Sequence, residues 1–276
     1  MVMNVIQGQG EPMRRDVDNN IAQIASRFVD ARRTATVLKD YPGTIPDDLA
    51  DAYAVQDAAI ALRAGDIVGW KVGRINPPMG DVDRLAGPIF ASTQVSTEAH
   101  PVAMPVFAGG FAAAEAEFLL RIGTAPDPGK RRYSLEEATA LIDAVHVGIE
   151  IASSPFGGIN DHGAGVTISD FGNNNGLVIG SAITNWAYVP LLDWPVELSI
   201  NGEMIGAGMA LTMLDGPFGA ARFLFELMAA RGIALTTGQW ISSGAVTGVH
   251  RVGVGDVVEA RFNGHYSVAC TIKAEG

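Results

Sequence analysis

Two apolar runs in this chain carry acids that an apolar strand cannot hold unaided. Glu115 and Glu117 stand two apart in Ala113-Ala114-Glu115-Ala116-Glu117-Phe118-Leu119-Leu120, and Glu150 sits in Val147-Gly148-Ile149-Glu150-Ile151-Ala152. Both runs read as buried strands, and a carboxylate is rarely buried unless something neutralises it. Residues i and i+2 of a strand share a face, so Glu115 and Glu117 converge. No Lys or Arg lies within three residues of Glu115 or Glu150. Like charges gathered this way need a cation or stay partly protonated, unless a distant arginine pairs with them. A hard divalent ion, Mg²⁺ or Mn²⁺, is the economical answer.

The remaining composition limits what surrounds these strands. The chain has 276 residues, 48% hydrophobic, enough for one large or two small domains with a sizeable core. Charged residues make up 18%, below the usual quarter or so, which hints at subunit interfaces. A net charge of −11 argues against nucleic acid or an anionic membrane as partner. It leaves an anionic substrate open, because a bound metal inverts the local field. The single cysteine, Cys270, lies in an alternating strand pattern and reads as an inert buried thiol; no Cys/His zinc cluster is present. No apolar run reaches membrane-spanning length and no signal peptide pattern opens the chain, so a cytoplasmic protein is expected.

Residues 1–15 read as a flexible tail. Asp16 or Asp18 is expected to cap a helix running to about Lys39, and a second helix starts near Pro46-Asp47 and stops before Gly65. These helices form an N-terminal segment, residues 1–66, ahead of a β-rich catalytic domain, residues 67–276. Ile67–Gly73 reads as a strand, and 74–88, with Pro77, Pro78 and Gly80, as a loop. The first acid-bearing strand spans about 112–122. Ser134-Leu135-Glu136-Glu137 is a capping box, predicted to open a helix to about Val145. Residues 153–166 form a glycine-rich loop in which His162 is the one histidine expected near a pocket, and a strand follows over 176–183. Asn201-Gly202 and Asn263-Gly264 each signal a β-hairpin, and one amphipathic helix runs from about Pro217 to Arg231. No glycine-rich nucleotide loop follows a strand into a helix. The fold class is α+β, with a mixed, rolled or barrel-like sheet.

Several segments, taken in order, carry a family resemblance: Asp51-Ala52-Tyr53-Ala54-Val55-Gln56, Gly69-Trp70-Lys71-Val72-Gly73, Glu115-Ala116-Glu117, Ile149-Glu150-Ile151, Asn201-Gly202-Glu203, Ser243-Gly244-Ala245 and Gly255-Asp256. From about Asp51 to Ile272 the chain resembles the 2-keto-4-pentenoate hydratase family, in the hydratase/decarboxylase branch of the fumarylacetoacetate hydrolase superfamily. The resemblance implies a β-roll of the fumarylacetoacetate hydrolase C-terminal type and a Mg²⁺ or Mn²⁺ site on Glu115, Glu117 and Glu150. It also implies a homo-oligomeric ring of several subunits and a 2-hydroxy-2,4-dienoate as substrate, of the kind met in aromatic compound catabolism. Four places depart from the family pattern. Leu85-Ala86-Gly87 stands where the family has Asp-Phe-Gly and so lacks the acid, Ala113 replaces an arginine, Pro155 replaces another, and Asp215-Gly216-Pro217 replaces a Gly-His-Pro.

Lys71, in an otherwise apolar strand, is the candidate for proton transfer or for holding the substrate anion, with desolvation expected to lower its pKa. The alternative is a side chain snorkelling at a strand end. Ser243 and Gly244 are candidates for the substrate carboxylate, and Asp170 for orienting a ligand or water. The leading expectation is a metal-dependent hydratase, a carbon–oxygen lyase. A decarboxylase of a vinylogous 2-oxo diacid (4-oxalocrotonate type) is its nearest rival, mildly favoured by the missing acid at Leu85. A carbon–carbon hydrolase lacks the His/Glu pair it needs near Gln56–Asp66, and a non-catalytic relative with a degenerate pocket is the remaining alternative.

Overall fold

The computed structural model describes residues 10–96 and 102–276. The tail expected over 1–15 lies outside the described residues as far as residue 9, and from Gly10 the chain is already helical. Helix α1 (Gly10–Arg33) therefore starts before Asp16 and stops short of Lys39. It ends in a turn where Ala35 adopts φ 49°, and Leu38 then bridges to Phe156. Helix α2 (Leu49–Leu62) starts close to the expected Pro46-Asp47 and is capped by Asp48, whose carboxylate accepts from Asp51 N.

Strand β1 (Ile67–Met79) runs well past Gly73 and turns into β2 (Val82–Phe90), so the stretch 74–88 is a hairpin and not a loop. The prolines are tolerated because pairing lapses there: the register jumps from Arg74↔Arg84 to Met79↔Val82, and Pro77 and Pro78 fall in the gap, where no ladder donor is required. Short β3 (Gln94–Ser96) and β4 (Val102–Val106) lead to the first acid-bearing strand, β5 (Phe111–Ile122). The capping box at Ser134 and Glu137 forms as predicted, but helix α3 (Leu135–Thr139) is far shorter than expected. Residues Ile142–Ser154 instead form β6, where the alternating Val145, Val147, Ile149 and Ile151 pack into the main core. Next come α4 (Ala164–Ser169), β7 (Asn174–Ala182), β8 (Pro195–Ile200) and β9 (Glu203–Met209). The chain ends with α5 (Gly216–Arg231), β10 (Trp240–Ser242), β11 (His250–Arg251), β12 (Val257–Phe262) and β13 (Tyr266–Ala274). Both Asn-Gly hairpins are present, with Asn201 and Asn263 at φ 54° and 50°.

The strands make two sheets. One runs β2-β1-β10-β5-β6-β7-β3, with β11 also on β5; the other runs β4-β13-β12-β8-β9. Alternation along β5 assigns its two faces. Ala112, Ala114, Ala116, Phe118, Leu120 and Ile122 enter the main core, where Phe118 meets Phe262 of the second sheet and Trp194, just ahead of β8. Ala113 and Leu119 point the other way, into two smaller clusters, and Glu115 and Glu117 lie between them on that face. The cluster around Ala113 also takes Ile24 and Phe28 of α1 and Val55 and Ala59 of α2, which seats the helices on this face of the sheet.

Candidate active site

The strand pairing brings the three acids together. Glu115 stands directly opposite Glu150 in the antiparallel β5–β6 ladder, and Glu117 is one same-face step further along. Like charges at directly opposed positions repel. One carboxylate oxygen from each of Glu115, Glu117 and Glu150 lies within 4.8 Å of the other two, and all three residues are buried.

Neighbouring groups fix two of the three. Glu117 Oε2 accepts from Ser242 Oγ at 2.5 Å and from Gly244 N at 2.9 Å. Glu150 Oε1 accepts from Asn174 Nδ2 at 3.0 Å and lies 3.5 Å from Lys71 Nζ. Lys71 reaches the acids because β1 pairs with β10 at Lys71↔Ser242, which puts Lys71 on the face that holds the trio. The other oxygens, Glu117 Oε1 and Glu150 Oε2, are buried with no hydrogen-bond partner among the described residues. Such atoms are costly unless something meets them.

Electrostatics agree with that geometry. Burial pushes Glu115 up to about 7, with Lys71 pulling it down and Glu150 adding to the rise. Burial also raises Glu117 well above the usual carboxylate range, reinforced by Glu150 and Glu115. Lys71 overturns the sequence expectation. Burial alone would lower it, but Glu150, Glu115 and Glu117 together outweigh burial and shift it up. Ionised together, the three carboxylates against one ammonium would leave two negative charges to balance, and the upward shifts of Glu115 and Glu117 reflect that crowding. All-oxygen donors, a deficit of two charges and two unmatched buried oxygens fit a hard divalent cation.

A cavity of about 560 Å³ opens beside the trio, lined by Lys71, Glu115, Asn173, Arg74, Leu85 and Ile75 among others. Ser243 and Gly244 line a smaller adjoining cavity of about 90 Å³ with Arg74 and Arg84. Ser243 Oγ is buried and has no partner among the described residues. Asp170 departs from expectation. It lines neither cavity, and both its oxygens are taken by Arg32 of α1, Nε to Oδ1 at 2.5 Å and Nη2 to Oδ2 at 2.9 Å. Arg32 also donates to Asn175 Oδ1 and to the Ser153 carbonyl. Nothing near Asp170 in sequence announces a partner 138 positions away. His162 stacks on Phe156 and lines neither cavity. The residues that sequence reasoning passed over are Asn173, Asn174, Ser242 and Arg74. In sequence, Asn173-Asn174-Asn175-Gly176 reads as a turn first and a binding loop second, since Asn tolerates left-handed backbone.

No protein-family model matches the chain. It is 27% identical over 265 residues to the 2-keto-4-pentenoate hydratase of Burkholderia vietnamiensis (strain G4 / LMG 22486), covering 92% of this chain and 98% of that one. It is 26% identical over 237 residues to the 2-hydroxyhexa-2,4-dienoate hydratase of Comamonas testosteroni, covering 83% and 89%. The resemblance to the 2-keto-4-pentenoate hydratase family is borne out. Solved structures agree on the α+β fold. The 4-oxalocrotonate decarboxylase of Pseudomonas putida G7, complexed with magnesium and adipate, superposes with a TM-score of 0.78 at 22% identity, over 92% of this chain and 98% of that one. The fumarylpyruvate hydrolase of Pseudomonas aeruginosa, in complex with Mn²⁺ and pyruvate, gives 0.56 at 16% identity, over 74% and 88%. The fold is therefore that of the fumarylacetoacetate hydrolase superfamily. Among the described residues, no helix is long and apolar enough to cross a membrane.

Proposed function

We propose that this chain is a metal-dependent hydratase that adds water to a 2-hydroxy-2,4-dienoate. The observation that carries the proposal is the buried trio Glu115, Glu117 and Glu150, of which Glu115, with Lys71, lines a cavity large enough for such an acid. The trio would hold Mg²⁺ or Mn²⁺. When bound, the ion supplies Lewis-acid charge against the oxygen of a developing enolate.

The chain's own residues supply the rest. Ser242 Oγ and Gly244 N fix Glu117, and Asn174 fixes Glu150, so the carboxylates are preorganised. Lys71 transfers a proton to the dienol carbon or grips the substrate anion, and its upward shift favours the second role. Ser243 Oγ, buried without a partner, donates to a substrate carboxylate beside Gly244. Ile75 and Leu85 give the large cavity an apolar wall. In the net reaction, ketonisation moves the proton of the 2-hydroxyl to C5. Water then bonds to C4, and the proton it loses ends on C3.

Decarboxylation of a 2-oxo diacid is the second reading. Arg74 favours it: it lines both cavities and has no ion-pair partner among the described residues, so it suits a second carboxylate. A homo-oligomer also belongs to the proposal, supported by exposed Met204, Ile205 and Met209 on the edge strand β9. The test follows the ultraviolet absorbance of dienols, with and without Mg²⁺, and carbon dioxide release from a diacid in parallel. Mg²⁺-dependent loss of absorbance without carbon dioxide supports hydration. Carbon dioxide release moves the assignment to the decarboxylase, and neither signal refutes both.

A further inference from the structure

Arg74 stands directly opposite Arg84 in the β1–β2 ladder, at the last regular pair before the register breaks. Like charges at opposed positions repel, and a neutral residue at either place would relieve them. Arg84 is compensated. It is 8% exposed, donates to Asp83 Oδ1 at 2.9 Å and to the Leu214 carbonyl at 2.6 Å, and lies 3.8 Å from Asp215, which also pairs with Arg222. Arg84 and Arg222 thus match Asp83 and Asp215 one for one. Arg74 is left over, with no ion-pair partner among the described residues. An exposed arginine can be left to water, but this one belongs to a cavity wall, and a local rule broken there points to function.

Gly73, Arg74 and Ala245 line both the large and the small cavity, so the two meet at this end of β1. The charged residues lining the small one are Arg74 and Arg84, both cations, set among apolar Val72 and Met213. The large one holds Lys71 and Glu115, with Ile75 and Leu85 as apolar wall. Gly73 lies between Lys71 and Arg74. A Cβ on it would be 3.4 Å from Lys71 Nζ, and without a side chain there the way from Lys71 to Arg74 stays open. A ligand that follows this route meets the acid trio and Lys71, then an apolar stretch, then a recess of about 90 Å³ whose charge is positive.

We infer that Arg74 selects a dianionic substrate, an unsaturated 2-hydroxy acid whose far end carries a second carboxylate that Arg74 receives where the two cavities meet. The inference rests on the reading above for placing the 2-hydroxy acid end at the trio, and it holds for hydration and decarboxylation alike. A planar guanidinium suits a carboxylate because it can offer two parallel N–H donors. Arg84 is tied to Asp83 and Leu214 and adds charge from a fixed place, whereas Arg74 has its donors free. The bound carboxylate also offsets the repulsion between the two opposed arginines.

The experiment uses the full chain in Mg²⁺ and compares wild type, Arg74→Met and Arg74→Lys on two ligand pairs. The reactive pair is 2-hydroxyhexa-2,4-dienoate, which ends in a methyl group, and its analogue with a carboxylate in place of that methyl. Loss of dienol absorbance reads their turnover. The unreactive pair is a saturated six-carbon dicarboxylate and the matching monocarboxylate, read by thermal unfolding. The wild type is expected to favour the dianion about tenfold or more in kcat/KM, and Arg74→Met to lose most of that ratio through KM, with Arg74→Lys in between. The saturated dicarboxylate is expected to raise the wild-type midpoint more than the monocarboxylate does, and Arg74→Met to erase the difference. Without ligand, Arg74→Met is expected to unfold at or above the wild-type temperature, because the opposed pair is gone. Equal use of both dienols by the wild type, or a preference kept by Arg74→Met, overturns the inference and leaves the reading above standing. A lowered ligand-free midpoint in Arg74→Met also overturns it, by making the residue structural. Turnover of neither dienol, with Arg74-dependent protection by the dicarboxylate intact, overturns the hydratase reading and supports the inference. Neither turnover nor protection overturns both.

Discussion

Replacing Glu117 by glutamine separates a metal centre from a structural ion cluster, because the two assign opposite signs to the same substitution. Glu117 is fully buried, accepts from Ser242 Oγ and Gly244 N through Oε2, and leaves Oε1 unmatched beside two other carboxylates. Glutamine keeps the shape. Its carbonyl oxygen can take the two donors, and its amide points two N–H groups where Oε1 met like charge. One of three mutually repelling acids is thereby removed. The metal-free variant is therefore expected to unfold at or above the wild-type temperature. Mg²⁺ acts the other way. A ligand at a hundred times its Kd stabilises by about 2.7 kcal/mol. At about 2–4 °C per kcal/mol for a chain near this size, that raises the wild-type midpoint by roughly 5–10 °C. Glu117→Gln should lose most of this rise, together with Mg²⁺-dependent turnover. Thermal unfolding by circular dichroism over a Mg²⁺ series, with chelator as the zero point, makes the measurement. The reasoning is refuted if the variant keeps the full Mg²⁺ shift, or if its metal-free midpoint drops by several degrees.

Three further perturbations probe the supports of the site. Arg32→Met leaves Asp170 buried without its partner and removes the donors to Asn175 and Ser153, at a cost of about 3–5 kcal/mol; a midpoint close to wild type would show that the ion pair is not the link between α1 and the sheet. Gly87→Ala drives a methyl to 2.0 Å from the Phe171 carbonyl oxygen, so the urea midpoint should fall by an amount worth about 1–3 kcal/mol or more; an unchanged midpoint would refute the tight contact between β2 and the turn at Phe171. Cys270 should stay unmodified by a thiol reagent at neutral pH until the chain unfolds, because burial pushes its thiol up from 9.0 to about 12. The folded state then holds the thiol proton more tightly than the unfolded one, so this contribution is complete below pH 9 and is lost as pH rises towards 12; Cys270→Ala should flatten that part of the stability curve.

The parts of this molecule that could be read from sequence are those whose evidence is local. Carboxylates inside apolar runs announced the trio, because no neighbour could neutralise them. Asn-Gly between alternating segments announced two hairpins, and Pro46-Asp47 announced a helix start close to that of α2. The misreadings share one cause, a local signal overruled by a distant partner. Pro77, Pro78 and Gly80 read as a loop, yet they sit in a register gap of a hairpin whose flanks, Lys71↔Gly87 and Arg74↔Arg84, are paired. The capping box at Ser134 predicts a helix start correctly but says nothing of length. Ile142 and Val145 leave the helical pattern because β5 offers them a ladder and the second sheet offers them a core.

The same logic explains why half of the site stayed hidden. Asp170 reads as a free acid until Arg32 arrives from the far end of the chain. Asn173 reads as an ordinary turn residue until its surroundings show that its amide oxygen has no internal partner. Lys71 is the sharpest case, because the two levels disagree in sign. An apolar strand predicts a lysine that loses its proton easily, and three glutamates from two other strands hold that proton in place. A burial argument made from one strand counts only the desolvation. The sign of the shift follows once β1, β5 and β6 are read together, and it favours the charged form of Lys71.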